Sequence, residues 1–215
     1  DIYDLARAKK LMGVSLKKVG ASAHIEEYNA LTSKQTKEYR YGGFRVQSAT
    51  ERGPLPPFFN SIDLYMTVGD KEIQFRATSG EASWQGEIKG ATAAGGKIGG
   101  GNVNFYLKKY TGKGVFDKEE KEVINFTKSK DFFPEFYRLY KKHFTGTILP
   151  YEDFVMNAKA KQKESAGYLF SKYINMKFID IFLSSNAATR NKIATDFLRY
   201  AASNTDQSSF FVKIS

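Results

Sequence analysis

The sequence contains no cysteine among its 215 residues. A disulfide framework, a thiolate zinc site and a cysteine nucleophile are therefore excluded. Only two histidines, His24 and His143, are present, and they lie far apart, so the sequence predicts neither a histidine zinc site nor a Ser-His-Asp triad. The lack of disulfides favours a reducing location, which is the cytoplasm or another intracellular compartment, with a virion as the alternative.

Long hydrophobic runs are also missing. A membrane-spanning helix needs about 18 or more consecutive apolar residues, and the nearest candidate, residues 176–183, is short and carries Lys177 and Asp180. We therefore predict that no membrane is a partner. The first residue is Asp1 rather than methionine, so we expect a processed product or a part of a longer chain, and no signal peptide is recognisable.

Positive charge and aromatic side chains are abundant. Lysine and arginine number 33 against 23 aspartates and glutamates, which gives a net charge of +10. Such a balance favours polyanionic partners, and DNA or RNA is the partner that we expect, with self-association left open. The 18 phenylalanines and 13 tyrosines provide enough apolar surface for a folded core. The length fits one substantial domain, with or without a helical extension.

The chain divides into two predicted regions at about residue 112. Residues 1–112 are predicted to form an α/β core that contains a sheet. Within it we expect helices at 4–12 and 22–31, strands at 43–48 and 103–108, a rigid proline loop at 52–57, and a mobile glycine-rich loop at 90–101.

Residues 113–215 are predicted to form a helical region that packs on this core. Asn186 is expected to cap its last helix, and Pro134 fits the first turn of another. The expected helices are 118–126, 134–144, 151–163, 166–183 and 187–202, followed by a short strand at 210–214. The predicted fold class is α+β, with a mixed or antiparallel sheet, N-terminal helices and a helical C-terminal half.

The most informative stretch is residues 62–89, where polar and apolar residues alternate. Turn chemistry at residues 69–70 and 79–82 divides this stretch into three strands of an antiparallel meander. If Val68 pairs with Lys71, one face is apolar and carries Leu64, Met66, Val68, Ile73, Phe75, Ala77, Trp84 and Ile88. The other face is polar, with Asp63 opposite Arg76 and Glu87 opposite Gln74, and it also carries Tyr65, Thr67, Glu72 and Lys89.

This polar face has two interpretations. A half-buried antiparallel sheet needs a solvated face, and mixed charges are ordinary there. Alternatively, two carboxylates on the face hold Mg²⁺, and a neighbouring lysine orients or activates the attacking water. The distance between the carboxylates of Asp63 and Glu87 distinguishes the two interpretations.

A helix with acidic residues, a strand that opens on aspartate and a strand with Glu-x-Lys together resemble the PD-(D/E)XK nuclease superfamily. The residues in question are Glu26 or Glu27, Asp63 in Ser61-Ile62-Asp63-Leu64, and Glu87-Ile88-Lys89. The resemblance covers about residues 22–108. It implies that Asp63 and Glu87 bind the metal, that Lys89 assists the water, and that Glu26 or Glu27 supports the site.

The strand directly after Asp63 reads Gln74-Phe75-Arg76 where the superfamily places its Glu-x-Lys. Either the motif has moved to the third strand, or the site is a degenerate one in which Gln74 and Arg76 stand beside the remaining carboxylates. Both alternatives put Asp63, Gln74, Arg76, Glu87 and Lys89 in one patch.

Basic residues elsewhere are candidates for contact with nucleic acid. Residues 91–98 approach a P-loop but lack its final serine or threonine, so only a phosphate nest with Lys97, or a plain flexible loop, is expected there. Residues 132–144 interleave aromatic and basic side chains, which suits either base stacking or, as we favour, an amphipathic core helix. The predicted nucleic-acid contacts are Lys97, Lys108, Lys109, Arg138, Lys141 and Lys142.

The function that follows is binding of nucleic acid with metal-dependent hydrolysis of phosphodiester bonds, in which Mg²⁺ is the cofactor. The alternative is a non-enzymatic protein of the viral structural or assembly kind, whose basic surface contacts nucleic acid or another partner. Loss of Mg²⁺-dependent cleavage on substitution of Asp63 or Glu87 distinguishes the first from the second.

Overall fold

A computed structural model of the chain describes residues 38–46, 57–77, 83–89 and 96–202, together with the backbone of three further strands. These three are β1 (Gly13–Leu16), β2 (Ile25–Tyr28) and β8 (Phe211–Ile214). They form one sheet in which β8 lies between the other two, parallel to β1 and antiparallel to β2. The strand predicted at residues 210–214 is therefore confirmed.

The second sheet has five antiparallel strands, each hydrogen-bonded to the next in sequence. These are β3 (Tyr41–Arg45), β4 (Leu64–Val68), β5 (Lys71–Ala77), β6 (Trp84–Lys89) and β7 (Lys97–Gly99). Val68 pairs with Lys71 around Gly69, and Gln74 pairs with Glu87. The predicted meander and its register are thus confirmed.

Six helices follow or flank this sheet. A short 3-10 turn, Pro57–Phe59, precedes β4. The helices are α1 (Gly100–Thr111), α2 (Lys121–Phe126), α3 (Phe132–His143), α4 (Tyr151–Glu164), α5 (Tyr168–Leu183) and α6 (Ala187–Ala201). The last five match the predicted helices, and the Asn186 side chain caps α6 by accepting the Thr189 N–H at 2.8 Å. In the part of the chain that the structure describes, no helix is long and apolar enough to cross a bilayer.

The helix α5 is the centre of the core. It is apolar on nearly all sides, and twelve of its residues are buried because it packs against the sheet as well as against other helices. All eight predicted apolar residues of the meander are buried in the same hydrophobic cluster. That cluster also contains Phe132, Phe136 and Tyr140 of α3, so the core interpretation of this aromatic helix is correct. Residues on both sides of position 112 contribute to it, and the fold is α+β.

Two secondary-structure predictions in the N-terminal half are wrong. The helix expected at 22–31 contains the strand β2 instead, and Glu26 lies opposite Lys213 of β8. The strand expected at 103–108 is part of α1, where Val103 and Leu107 are one turn apart and both buried. Short segments of mixed polarity fit both periods, and here tertiary packing selects the helix. The helix predicted at 4–12 lies outside the described residues, as does most of the loop predicted at 52–57.

The glycine-rich segment is more regular than predicted. Residues 90–95 lie outside the described part, but Lys97–Gly99 is a strand and Gly100 begins α1, so the loop prediction is wrong there. Gly96 has φ +90°, and a Cβ atom on it would lie 1.7 Å from the carbonyl oxygen of Ala201. Glycine is needed at this position because the chain turns tightly against the end of α6.

Candidate functional site

Three side chains on the polar face of the meander form a buried cluster. Asp63, Tyr65 and Gln74 are 8%, 7% and 3% exposed, which differs from the solvated face expected for an ordinary sheet. Gln74 Nε2 donates to Asp63 Oδ2 at 2.6 Å, and the Tyr65 hydroxyl donates to the same oxygen at 3.3 Å. One carboxylate oxygen therefore holds the cluster together.

The backbone before Asp63 is fixed by three side chains of α5. Lys172 Nζ donates to the carbonyl oxygen of Ser61 at 2.8 Å, and Asn175 Nδ2 donates to that of Ile62 at 2.8 Å. The Ser171 hydroxyl also donates to Ile62, at 3.3 Å. Lys172 is 1% exposed and donates in addition to Val46 at the end of β3. The core helix thus determines where Asp63 stands, since buried carbonyls need donors.

Two oxygens in the cluster are buried without a hydrogen-bond partner. They are Asp63 Oδ1 and Gln74 Oε1. Each can accept from a donor or bind a cation, and leaving a buried acceptor unpaired costs about 1–3 kcal/mol. Carboxylate and amide oxygens are hard ligands of the kind that bind Mg²⁺ and Ca²⁺.

Glu87 lies at the other end of the polar face in a different environment. Its carboxylate is 3.3 Å from Arg76 Nη2 and 3.9 Å from Lys97 Nζ, and its side chain is 24% exposed. Lys89, two residues further on, is exposed and lies opposite Glu72, whose carboxylate accepts from Arg45 at 2.7 Å. Glu87 and Lys89 therefore belong to the solvent-accessible end of the polar face, where charged side chains form ion pairs.

The structure separates the two predicted metal ligands. Asp63 lies one position before the paired residues of β4, where the register of Leu64 with Phe75 continues toward Arg76, and Glu87 lies on β6, so β5 with Gln74 stands between them. Two strand spacings amount to about 10 Å between the backbones. Among the described residues no group of three histidine, aspartate or glutamate side chains could hold a metal ion. The side chain of Glu26 is not among the described ones.

The predicted nucleic-acid contacts differ in how far they are neutralised. Arg138 binds Glu135 through two bonds of 2.6 and 2.8 Å, and Lys142 Nζ is 2.6 Å from Asp180. His143 Nε2 is also 2.7 Å from Asp180. Burial favours the neutral form of Asp180, but the hydrogen bonds from Lys142 and His143 outweigh it and lower the pKa of this carboxyl. Much of the charge on α3 is thus balanced within the protein.

The other predicted contacts are spread over the surface. Lys97 is near Glu87, Lys109 Nζ is 3.7 Å from Asp196, and Lys141 Nζ lies 4.9 Å from the centre of the Tyr137 ring. Lys108 differs, because it lines a groove between α1 and α5 together with Lys113 and Lys177. Within the described residues neither Lys113 nor Lys177 has a carboxylate within 4.0 Å. Sequence patterns missed these two, since Lys113 stands in a turn and Lys177 in an apolar helix.

No family model matches the chain, and no matching curated protein or solved structure was found.

Proposed function

We propose that the protein binds nucleic acid through its basic surface. The observation that carries this proposal is the excess of positive charge, +10 in total, with exposed lysines such as Lys113 that no carboxylate in the described part of the chain neutralises. Phosphate groups attract such lysines, and the release of condensed counterions drives the association. The aromatic residues of α3 are core, so the basic surface rather than that helix supports the proposal.

Fluorescence anisotropy tests this proposal directly. Labelled single-stranded and double-stranded DNA and RNA are titrated with the purified protein at several salt concentrations. We expect the logarithm of the affinity to fall linearly with the logarithm of the salt concentration. For single strands the fall is about 0.7 log units per phosphate contact for each tenfold rise in salt. Poly-glutamate serves as a competitor of the same charge sign without phosphate. The absence of binding to every nucleic acid at low salt overturns the proposal.

Metal-assisted hydrolysis of phosphodiester bonds at the polar face is the second candidate. The specific observation in its favour is the pair of buried, unpartnered oxygens, Asp63 Oδ1 and Gln74 Oε1. These two residues fit a divalent ion, which would supply charge to offset a phosphate. Glu87 fits less well, because Arg76 and Lys97 already surround its carboxylate. Asp63 is therefore the residue on which this candidate depends.

Cleavage assays with matched variants test the second candidate. Asp63→Asn keeps the size and most hydrogen bonds of the side chain but removes its charge, so Mg²⁺-dependent cleavage is expected to disappear. Asp70→Asn is the control, since Asp70 lies in the exposed turn between β4 and β5 and is 74% exposed. Absence of cleavage by the unmodified protein on DNA and RNA substrates with Mg²⁺ or Mn²⁺ excludes the second candidate and leaves the binding proposal intact.

A further inference from the structure

A groove of about 480 Å³ runs between the C-terminal end of α1, the turn after it and the outer side of α5. Lys108, Lys113 and Lys177 line it, together with one carboxylate, Asp117, and the apolar side chain of Ile181. Three lysines against one aspartate give the groove a positive balance. An anion of extended shape is the ligand class that suits this lining.

The position of Lys108 in the groove is fixed by its neighbours. Its ammonium group donates to the backbone carbonyl of Asp117 at 2.5 Å, across the turn. Gly114 leaves room for the lysine stem, because a Cβ atom at position 114 would lie 2.6 Å from Lys108 Cε. The side chain therefore lies along the turn and needs little further ordering to contact a ligand.

The turn itself is held by side chains of the flanking helices. Asn104 Nδ2 donates to the carbonyl of Phe116 at 2.9 Å, which ties the turn to α1. The Glu122 carboxylate of α2 accepts the backbone N–H groups of Asp117 at 2.7 Å and Lys118 at 2.8 Å, and these bonds lower the pKa of Glu122. Thr111 Oγ1 bonds both backbone groups of Lys113. These hydrogen bonds fix the backbone of the turn that carries Lys113 and contacts Lys108.

An exposed aromatic ring lies beside the groove on α1. Phe105 is 46% exposed, and it precedes Lys108 by three residues, so both are on the same side of the helix about 4.5 Å apart along the axis. Its ring touches Tyr106 at a centroid distance of 5.3 Å, which orients it. An aromatic ring next to a basic groove is the usual arrangement for stacking a base while the backbone follows the charges.

We propose that this groove binds the phosphodiester backbone of single-stranded nucleic acid, with Lys108, Lys113 and Lys177 at the phosphates and Phe105 stacked on a base. This inference rests on the nucleic-acid binding proposed above and gives it a location and a substrate form. Single strands are favoured because only an unpaired base offers its face to the exposed ring.

The lysines are tested with the double variant Lys113→Ala/Lys177→Ala in anisotropy titrations of labelled oligo(dT). Removal of two phosphate contacts should reduce the slope of log affinity against log salt by about 1.4. If the two proteins bind equally at 1 M salt, the variant should therefore bind about 25-fold more weakly than the unmodified protein at 0.1 M salt. The matched control is Lys159→Ala/Lys163→Ala on α4, which removes the same charge from two exposed lysines. Equal loss in the two double variants overturns the groove assignment.

A variant that is expected to strengthen binding shows whether the weaker binding of the lysine variants is caused by misfolding. Asp117→Asn removes the one carboxylate of the groove but keeps the backbone carbonyl that Lys108 contacts. We expect tighter binding of oligo(dT), whereas Asp70→Asn in the remote turn should tighten it less. Unchanged affinity in Asp117→Asn contradicts the groove assignment.

Phe105→Ala is expected to weaken binding of oligo(dT) by about 5- to 150-fold, the range for loss of one stacked base. The same variant should bind an abasic oligonucleotide of equal length as the unmodified protein does, and Phe105→Trp should restore binding of oligo(dT). Equal effects on both oligonucleotides overturn the stacking role.

Competition experiments distinguish a nucleic acid from other anionic ligands of the groove. Inorganic phosphate should displace oligo(dT) only weakly, since it occupies one contact of several. Displacement of oligo(dT) by poly-glutamate at equal charge concentration would instead assign the groove to an acidic protein. If the unmodified protein binds no oligonucleotide, the proposed function fails; if it binds and the groove variants bind equally well, only the groove assignment fails.

Discussion

The two ends of the polar face on the meander differ although they belong to the same three strands. At one end Asp63 is buried, bonded to Gln74 and held in place from α5. At the other end Glu87 is partly exposed and surrounded by Arg76 and Lys97. Burial makes a polar group expensive to disturb, whereas water and salt screen an exposed ion pair. Substitutions at the two ends should therefore differ in cost.

The largest effect is expected at Lys172. Lys172→Met keeps the approximate volume but leaves the buried carbonyl of Ser61 and the partly buried carbonyl of Val46 without this donor. We expect a loss of about 3 kcal/mol in the free energy of unfolding, because unpaired buried carbonyls keep their desolvation cost. Urea unfolding measures it, with Lys159→Met on the surface of α4 as the control. A change below about 0.5 kcal/mol would mean that Lys172 does not hold this end of the face.

The next effect concerns the glutamine between the two ends. Gln74→Glu places a second carboxylate beside Asp63, so the pair holds a proton more tightly in the folded than in the unfolded protein. Stability should fall by about 2 kcal/mol at neutral pH and be regained as the pH is lowered, because the folded state then binds more protons. If a divalent ion binds here, Mg²⁺ should raise the melting temperature of Gln74→Glu more than that of the unmodified protein. An unchanged pH profile would contradict the burial of the pair.

An intermediate case is Asp180, a partly buried carboxylate that lies 2.6 Å from Lys142 Nζ and 2.7 Å from His143 Nε2. Its pKa is lower in the folded protein, so its contribution is present above its ordinary pKa of 3.8 and is lost as the pH falls through the lowered value. We expect Asp180→Asn to cost about 1–2 kcal/mol at pH 7 and to flatten the acid limb of the stability profile. Equal acid limbs in the variant and the unmodified protein would show that this carboxylate contributes nothing.

The smallest effect is expected at the exposed end. Arg76→Ala removes the ion pair with Glu87, and both side chains contact water. The cost should be below about 1 kcal/mol and smaller still in 1 M salt. The same urea unfolding measures the change in the free energy of unfolding. A loss as large as that of Lys172→Met would show that the two ends of the polar face do not differ in their contribution to stability.

The sequence predicted the helices of the C-terminal half and the register of the meander because both rest on local periodicity. Alternation of polar and apolar residues decides which residues of the meander share a face, and Asn186 marks the start of α6. The errors fell on short segments such as residues 25–28, where four residues carry too little pattern to decide between helix and strand. Tertiary pairing decided these segments, and β2 pairs with a strand almost two hundred residues away.

By itself, then, the sequence determined the α+β class, the two faces of residues 62–89 and the positive charge that favours nucleic acid. The tertiary structure decided which polar groups are buried and which lysines are neutralised. Asn175 and Ile62 are 113 residues apart, and no spacing rule connects them. The same holds for Lys108, Lys113 and Lys177, which lie along one groove because α1 and α5 pack side by side. Contacts of this kind depend on packing of distant elements, which local periodicity does not encode.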